Sequence, residues 1–215
     1  MVEDNLKRIL SELPPEVKLV AVSKFHPVQE ILEAYSAGQR CFGENRPQEF
    51  AAKAATLPKD IEWHFIGHLQ TNKLKLVLPY SSLVESIDSL HLLEAVERWA
   101  GERDIVIDVL LELHLGAEVT KGGFTETEIE GILASGGYPH VRFRGLMGMA
   151  TNTSDLNVVE AEFAHIEEFK QSLDDKFHLP DFTELSIGMS HDWPLAIKHN
   201  ATIVRIGTAI FGPRT

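Results

Sequence analysis

The chain has 215 residues, 44% of them hydrophobic and 24% charged, with a formal net charge of −12. That length and balance fit one large domain able to bury a core. The negative charge, with no basic cluster to offset it, excludes a duplex nucleic-acid binder.

The opening stretch "MVEDNLKRIL" carries acids early and no long apolar run, unlike a secretory signal peptide. Leu6, Ile9, Leu10 and Leu13 fall at helical spacing, which predicts an amphipathic helix ended by "PP". Apolar strand-like runs then follow at Leu19–Ser23, Arg40–Phe42, Glu62–Ile66, Leu83–Ser86, Ile105–Leu113, Val141–Leu146, Phe182–Ser186 and Thr202–Ile206. Helical patterns fill the gaps. Pro27 precedes Val28, Ile31, Leu32 and Tyr35 as a first-turn proline. Asp88 is the expected cap for Leu90, Leu93, Val96 and Trp99. Thr125 with Glu128 forms a capping box before Ile129, Ile132 and Leu133. Phe163, Ile166, Phe169 and Leu173 mark a longer helix, and Ser190 is the expected cap of the helix carrying Ala196 and Ile197.

Strand–helix alternation implies parallel strands joined by crossover helices. Eight units predict an α/β fold: a single (β/α)8 TIM barrel with an additional N-terminal helix and no C-terminal β-domain, residues 1–215 forming one domain. An open doubly wound sheet is the weaker alternative, because the slot after the first strand holds "SKFHP" and not a glycine-rich dinucleotide fingerprint. No run approaches the ~18 apolar residues of a membrane span. Cys41 is the only cysteine, which excludes an internal disulfide, fits a reducing compartment and reads as a packing residue. The expected location is the cytoplasm.

In such a barrel, chemistry gathers at the C-terminal ends of the strands. The first strand ends in Ser23-Lys24, the second gives Glu44 and Asn45, the third carries His64, the seventh gives "LSIGMSHD" and the eighth "VRIGTAIFG". If the barrel closes, strand eight lies beside strand one. Lys24 then neighbours Arg205 and the Gly207-Thr208 turn, with Ser190 supplied from strand seven. Backbone N–H groups and a hydroxyl converging there suit a phosphate dianion. An amine, a phosphate cradle and a fixed cation match the aldehyde, phosphate and ring nitrogen of pyridoxal 5′-phosphate, with which a lysine can form a Schiff base.

The motifs "AVSKFHP", "CFGENRPQE", "EWHFIGHLQTNK", "RGLMGM", "LSIGMSHDW" and "VRIGTAIFGPR" occur in order over nearly the whole chain. Together they resemble the pyridoxal phosphate homeostasis protein family, also called the proline synthase co-transcribed homologue family. The resemblance implies an alanine-racemase-type barrel (fold type III) with bound pyridoxal phosphate. It implies Lys24 as the Schiff-base lysine, Arg205 facing the pyridine nitrogen, and Ser190, Gly207 and Thr208 on the phosphate. Asn45 and Met147 would line the pocket. His64 is placed in the barrel interior near the cofactor, with a hydrogen-bonded core histidine as the equal alternative. His68 stands where many relatives carry proline or serine, and His191 sits in a loop that is often more acidic.

Arginine only donates hydrogen bonds, so facing the ring nitrogen it keeps that nitrogen unprotonated and makes the cofactor a poorer electron sink. The alanine racemases use a second acid–base residue, a tyrosine brought by an extra β-domain. Tyr35, Tyr80 and Tyr138 fall on or beside predicted helices, not at the proposed pocket. The sequence therefore favours a monomeric binder or carrier acting in vitamin B6 and amino-acid balance, delivering to apo-enzymes. A pyridoxal-phosphate-dependent amino-acid racemase is the alternative, and a sugar-phosphate enzyme on the same barrel is a third reading. His64 and His68 lie four apart, but glycine interrupts them and no third ligand stands out, so no metal is expected. "TKGG" at Thr120–Gly123 lacks the spacing of a nucleotide phosphate loop, and Lys121 is a candidate second anion contact. Ser190-His191 has no nucleophile elbow around it.

Overall fold

The computed structural model describes residues 1–116 and 122–213. Thr120 and Lys121, part of the "TKGG" motif, lie outside them. Eight parallel strands close into one barrel in sequence order: β1 (Lys18–Val22), β2 (Cys41–Glu44), β3 (Glu62–Phe65), β4 (Leu83–Ile87), β5 (Ile107–Leu113), β6 (Val141–Gly148), β7 (Glu184–Ser186) and β8 (Ile203–Ile206). Helices α1 (Val2–Glu12), α2 (Val28–Ser36), α3 (Pro47–Thr56), α4 (Leu74–Val77), α5 (Leu90–Gly101), α6 (Glu126–Ser135), α7 (Leu156–Phe177), α8 (Trp193–Lys198) and α9 (Thr208–Phe211) surround it. The predicted barrel and its extra N-terminal helix are both present. Among the described residues no helix is long and apolar enough to cross a membrane.

Alternation along the strands divides the apolar residues into two layers. Val20, Val22, Cys41, Leu83, Leu110, Met147 and Ile203 pack inside the barrel. The opposite faces, with Leu19, Ala21, Phe42, Trp63, Phe65, Val84 and Val204, pack against helix residues such as Ile31, Phe50, Val96 and Phe163. The edge-to-face pairs Phe50–Trp63 and Phe50–Phe65, at 5.8 and 5.7 Å, fix α3 on β3.

Several boundaries differ from the sequence expectations. Ile105 and Val106 are exposed and precede β5, because the ladder to β6 begins at Ile107 opposite Val141. β2 runs on through Gly43, which pairs with both β1 and β3, and Glu44, which pairs with β3. Ser89, not Asp88, caps α5, accepting from the Leu92 N–H. At α8 the N-cap position belongs to Asp192, not Ser190. Pro27 sits at the N-cap of α2, one place earlier than a first-turn proline. The Thr125–Glu128 capping box is formed. α3 has no strong apolar stripe; alanines at 51, 52, 54 and 55 and proline at 47 support it instead.

Candidate functional site

Closure of the barrel sets β1 against β8, with Val20 opposite Arg205 and Ala21 opposite Ile206. Lys24 follows two residues after Val22 and is half-buried. The turn that carries it is held from both sides. Lys53 on α3 donates to the Ser23 carbonyl at 2.8 Å, to Glu44 Oε1 at 2.7 Å and to Glu49 Oε1 at 2.6 Å. Glu49 Oε1 in turn accepts from the Phe25 N–H at 2.8 Å, and the Ser23 hydroxyl donates to Glu44 at 2.6 Å. The residues on either side of Lys24 are thus pinned by one buried ammonium and its two carboxylates. Phe25 adopts a left-handed φ of 67°, and the Arg46 guanidinium lies 4.2 Å from its ring centre. His26 stacks on Phe211 at 4.9 Å and pairs with Glu30, tying the same turn to α9.

Glu44 is wholly buried, and burial raises its carboxyl above the usual range even though Lys53 and Ser23 oppose that shift. The Lys53 ammonium and the Ser23 hydroxyl offset part of that burial cost.

Arg205 projects from β8 into the barrel and is 4% exposed. Its Nη1 donates to the Ser186 carbonyl at 2.8 Å and to Ser186 Oγ at 2.5 Å, and its Nη2 donates to the Gly148 carbonyl at 2.9 Å. Ser186 Oγ passes its own hydrogen to Glu85 Oε2 at 2.5 Å, and Glu85 Oε1 lies 2.6 Å from His64 Nδ1. Burial pushes the Glu85 carboxyl up, but His64, Arg205 and Ser186 outweigh it, so the group is lowered and ionised. Burial likewise works against the His64 imidazolium, yet Cys41 and Glu85 raise it to about 10. A buried line of polar groups therefore runs from Arg205 through Ser186 and Glu85 to His64 inside the barrel.

The loops after β7 and β8 meet at a third point. Ser190 Oγ accepts from the Gly207 N–H at 3.3 Å, so the serine bridges two strand exits instead of capping α8. A Cβ at Gly207 would stand 3.2 Å from the Val22 carbonyl, which shows how closely the β8 exit approaches β1. Gly188, at φ +90°, leaves only 2.6 Å between a would-be Cβ and the Ala196 methyl. Asp192 accepts from the Met189 N–H at 2.5 Å and shapes the same loop. Thr208 opens α9 and is exposed.

Asn45 follows β2, and its Oδ1 is buried with no hydrogen-bond partner among the described residues. Met147 is 1% exposed inside the barrel, opposite Glu112 and Ser186. Glu112 is a site residue that sequence reasoning missed: burial, reinforced by Asp88, pushes its carboxyl up to about 7. Near it, His68 Nδ1 lies 2.6 Å from Asp88 Oδ2, while Asp88 Oδ1 is buried and unpartnered among the described residues. His64 lies inside the barrel, and the cavity it lines opens at the N-terminal ends of the strands, the end away from Lys24. His64 and His68 thus answer to different carboxylates. Lys53, Glu85 and Ser186 were also missed. Their one sequence signal is a polar residue at an inward-facing or i,i+4 position.

A family model described as alanine racemase, N-terminal domain, matches residues 1–215. A pyridoxal phosphate homeostasis protein of Vibrio alginolyticus is 38% identical over 229 aligned residues, covering 99% of this chain and 97% of that protein. PipY of Synechococcus elongatus PCC7942, solved without PLP, superposes with a TM-score of 0.93 at 39% identity, covering 99% of this chain and 100% of PipY. PipY solved with PLP bound gives a TM-score of 0.90 at 38% identity over the same shares. The chain belongs to the pyridoxal phosphate homeostasis protein family.

Proposed function

We propose that this member of the pyridoxal phosphate homeostasis protein family binds pyridoxal phosphate at the C-terminal mouth of its barrel and holds it without catalytic turnover. The observation that carries the reading is the β1–β8 pairing, which brings the Lys24 turn, Arg205 and the Gly207-Thr208 turn to one place. The donor set fits the cofactor. Lys24 supplies the amine for a Schiff base, and the clamped turn fixes where that amine starts from. Ser190, Thr208 and the amide of Gly207 form the cradle for the phosphate. Arg205, fixed by Ser186 and Gly148, offers a charged donor to the pyridine nitrogen and no acceptor. Asn45 Oδ1 is an acceptor without a partner among the described residues, suited to a ring hydroxyl. Met147 gives the ring an apolar wall.

When bound, pyridoxal phosphate supplies an electrophilic carbon and an electron-withdrawing ring. The residues here hold and orient more than they move protons. Tyr35 bonds Asp60 at 2.8 Å, Tyr138 packs edge-on against Phe143, and Tyr80 is exposed on the turn after α4. None of the three is among the residues of the mouth. This supports a carrier that keeps a reactive aldehyde bound over a racemase; the proposed carrier is a cytoplasmic monomer that passes it to apo-enzymes.

Borohydride reduction of the full chain incubated with pyridoxal phosphate, followed by peptide mass spectrometry, tests the reading. The expected result is a visible absorption band before reduction and a single adduct on Lys24 after it. Amino acids incubated in heavy water with the loaded protein are expected to show no α-deuteration. A protein that stays colourless, or an adduct on another lysine, overturns the site; rapid exchange overturns the carrier role.

A further inference from the structure

The N-terminal mouth of the barrel, which the reading above does not use, holds a second set of chemical groups. Cys41 begins β2, Glu62 begins β3 and His64 follows two residues on, so all three sit at adjacent strand starts. One ligand atom from each lies within 4.8 Å of the other two. Cys41 and His64 are buried, and Glu62 is half-exposed at the rim of a cavity of about 150 Å³ lined also by Lys18, Ser82, Asp108, Arg144 and Glu184.

The geometry points to a divalent-metal site for zinc or a similarly thiophilic ion, bound by Cys41 Sγ, His64 Nε2 and one Glu62 carboxylate oxygen, with water from the cavity as the fourth ligand. Thiolate, imidazole and carboxylate are the donors zinc prefers, and three protein ligands plus water form a familiar four-coordinate set. Tetrahedral ligands at zinc stand ~3.5 Å apart, so the cluster needs to close by about an ångström. The outer groups are already arranged for it. Glu85 accepts from His64 Nδ1 at 2.6 Å, which fixes the tautomer and leaves Nε2 to the metal. Lys18 donates to Glu62 Oε2 at 2.7 Å, which leaves the other oxygen for the ion. The ion takes the place of the protons on the thiol and imidazole, which are released to solvent. Sequence spacing pairs His64 with His68. The partners that topology supplies instead come from the neighbouring strand and from two residues upstream.

Titration of the chelator-treated full chain with Co²⁺ tests the site without any cofactor present. The expected result is one bound equivalent with a near-ultraviolet thiolate-to-cobalt charge-transfer band, which Zn²⁺ then displaces. Cys41→Ser is expected to abolish that band and to weaken Zn²⁺ binding at least tenfold in competition with a chromophoric chelator. Glu62→Gln, at a half-exposed position, is expected to keep the band and weaken binding to a similar degree. Zn²⁺ should raise the melting temperature of the wild type and not that of Cys41→Ser, whose metal-free melting is recorded alongside to establish that it folds. A wild-type protein that shows no charge-transfer band, or a folded Cys41→Ser that binds Zn²⁺ as tightly as wild type, overturns the proposal.

Discussion

The two mouths of the barrel are built from the same strands and differ in how their polar groups are spent. At the C-terminal mouth the side chains that hold the structure lie beneath the surface: Lys53 gathers Ser23, Glu44 and Glu49, and Arg205 gathers Ser186 and Gly148. Those bonds fix backbone and set amides, hydroxyls and Lys24 around the opening. At the N-terminal mouth the pairs are side chain to side chain between strands, as in Lys18–Glu62, which reaches from β1 past β2 to β3, and Arg142–Asp108 on the neighbouring β6 and β5. The first arrangement suits a large ligand with several functional groups. The second suits a small ion or nothing more than closure of the barrel floor. The line His64–Glu85–Ser186–Arg205 joins them through the interior.

Breaking the C-terminal clamp should have the largest effect. Lys53→Met leaves Glu44 buried with no cation, and loss of about 3–5 kcal/mol is expected in urea unfolding. The variant should also bind pyridoxal phosphate more weakly, because the Lys24 turn loses its anchor; unchanged stability would mean the clamp is not what fixes that turn. Cutting the line between the mouths comes next. Glu85→Gln removes a charged acceptor from both His64 and Ser186, and about 1.5–3 kcal/mol should be lost by the same measurement.

An effect of comparable size and opposite sign is expected at Glu112. Its folded carboxyl is raised to about 7 against an ordinary 4.5, so the folded state favours the protonated form. The cost of ionising it is absent below pH ~4.5 and complete above pH ~7, so it destabilises the wild type as pH rises through that window. Glu112→Gln should therefore gain up to about 3 kcal/mol over wild type at pH 8 and nothing at pH 4, read from unfolding curves at the two values. The smallest effect belongs to the N-terminal rim. Lys18 and Glu62 are each about half exposed, and a double-mutant cycle to Met and Gln should give a coupling below about 1 kcal/mol that falls with added salt. A larger coupling would make the two mouths more alike than their exposure implies.

Much of this was legible in the residue pattern. Eight apolar runs alternating with helical spacing define the barrel, and a lysine and an arginine on the first and last strands stand out because the runs around them are apolar. What pattern could not supply was turn geometry and partnership. Asp88 and Ser190 each read as helix caps, but the chain enters α5 and α8 one and two residues later; Asp88 pairs with His68 instead, and Ser190 accepts from the Gly207 N–H. Lys53 and Glu49 look like an ordinary surface pair four apart, and only the packing of α3 over β2 buries the lysine. Glu85 and Ser186 are polar residues in short strands; the bond that joins them spans 101 positions of the chain.

The close approach of Gly207 to Val22 has a consequence for how the protein is made. The lysine emerges from the ribosome early, while the arginine, the serine and the final bend emerge only after nearly the whole polypeptide has been translated. A nascent chain still lacking β8 carries the lysine without the arginine and the bend, so the pocket proposed for pyridoxal phosphate is complete only when the last strand zips onto the first.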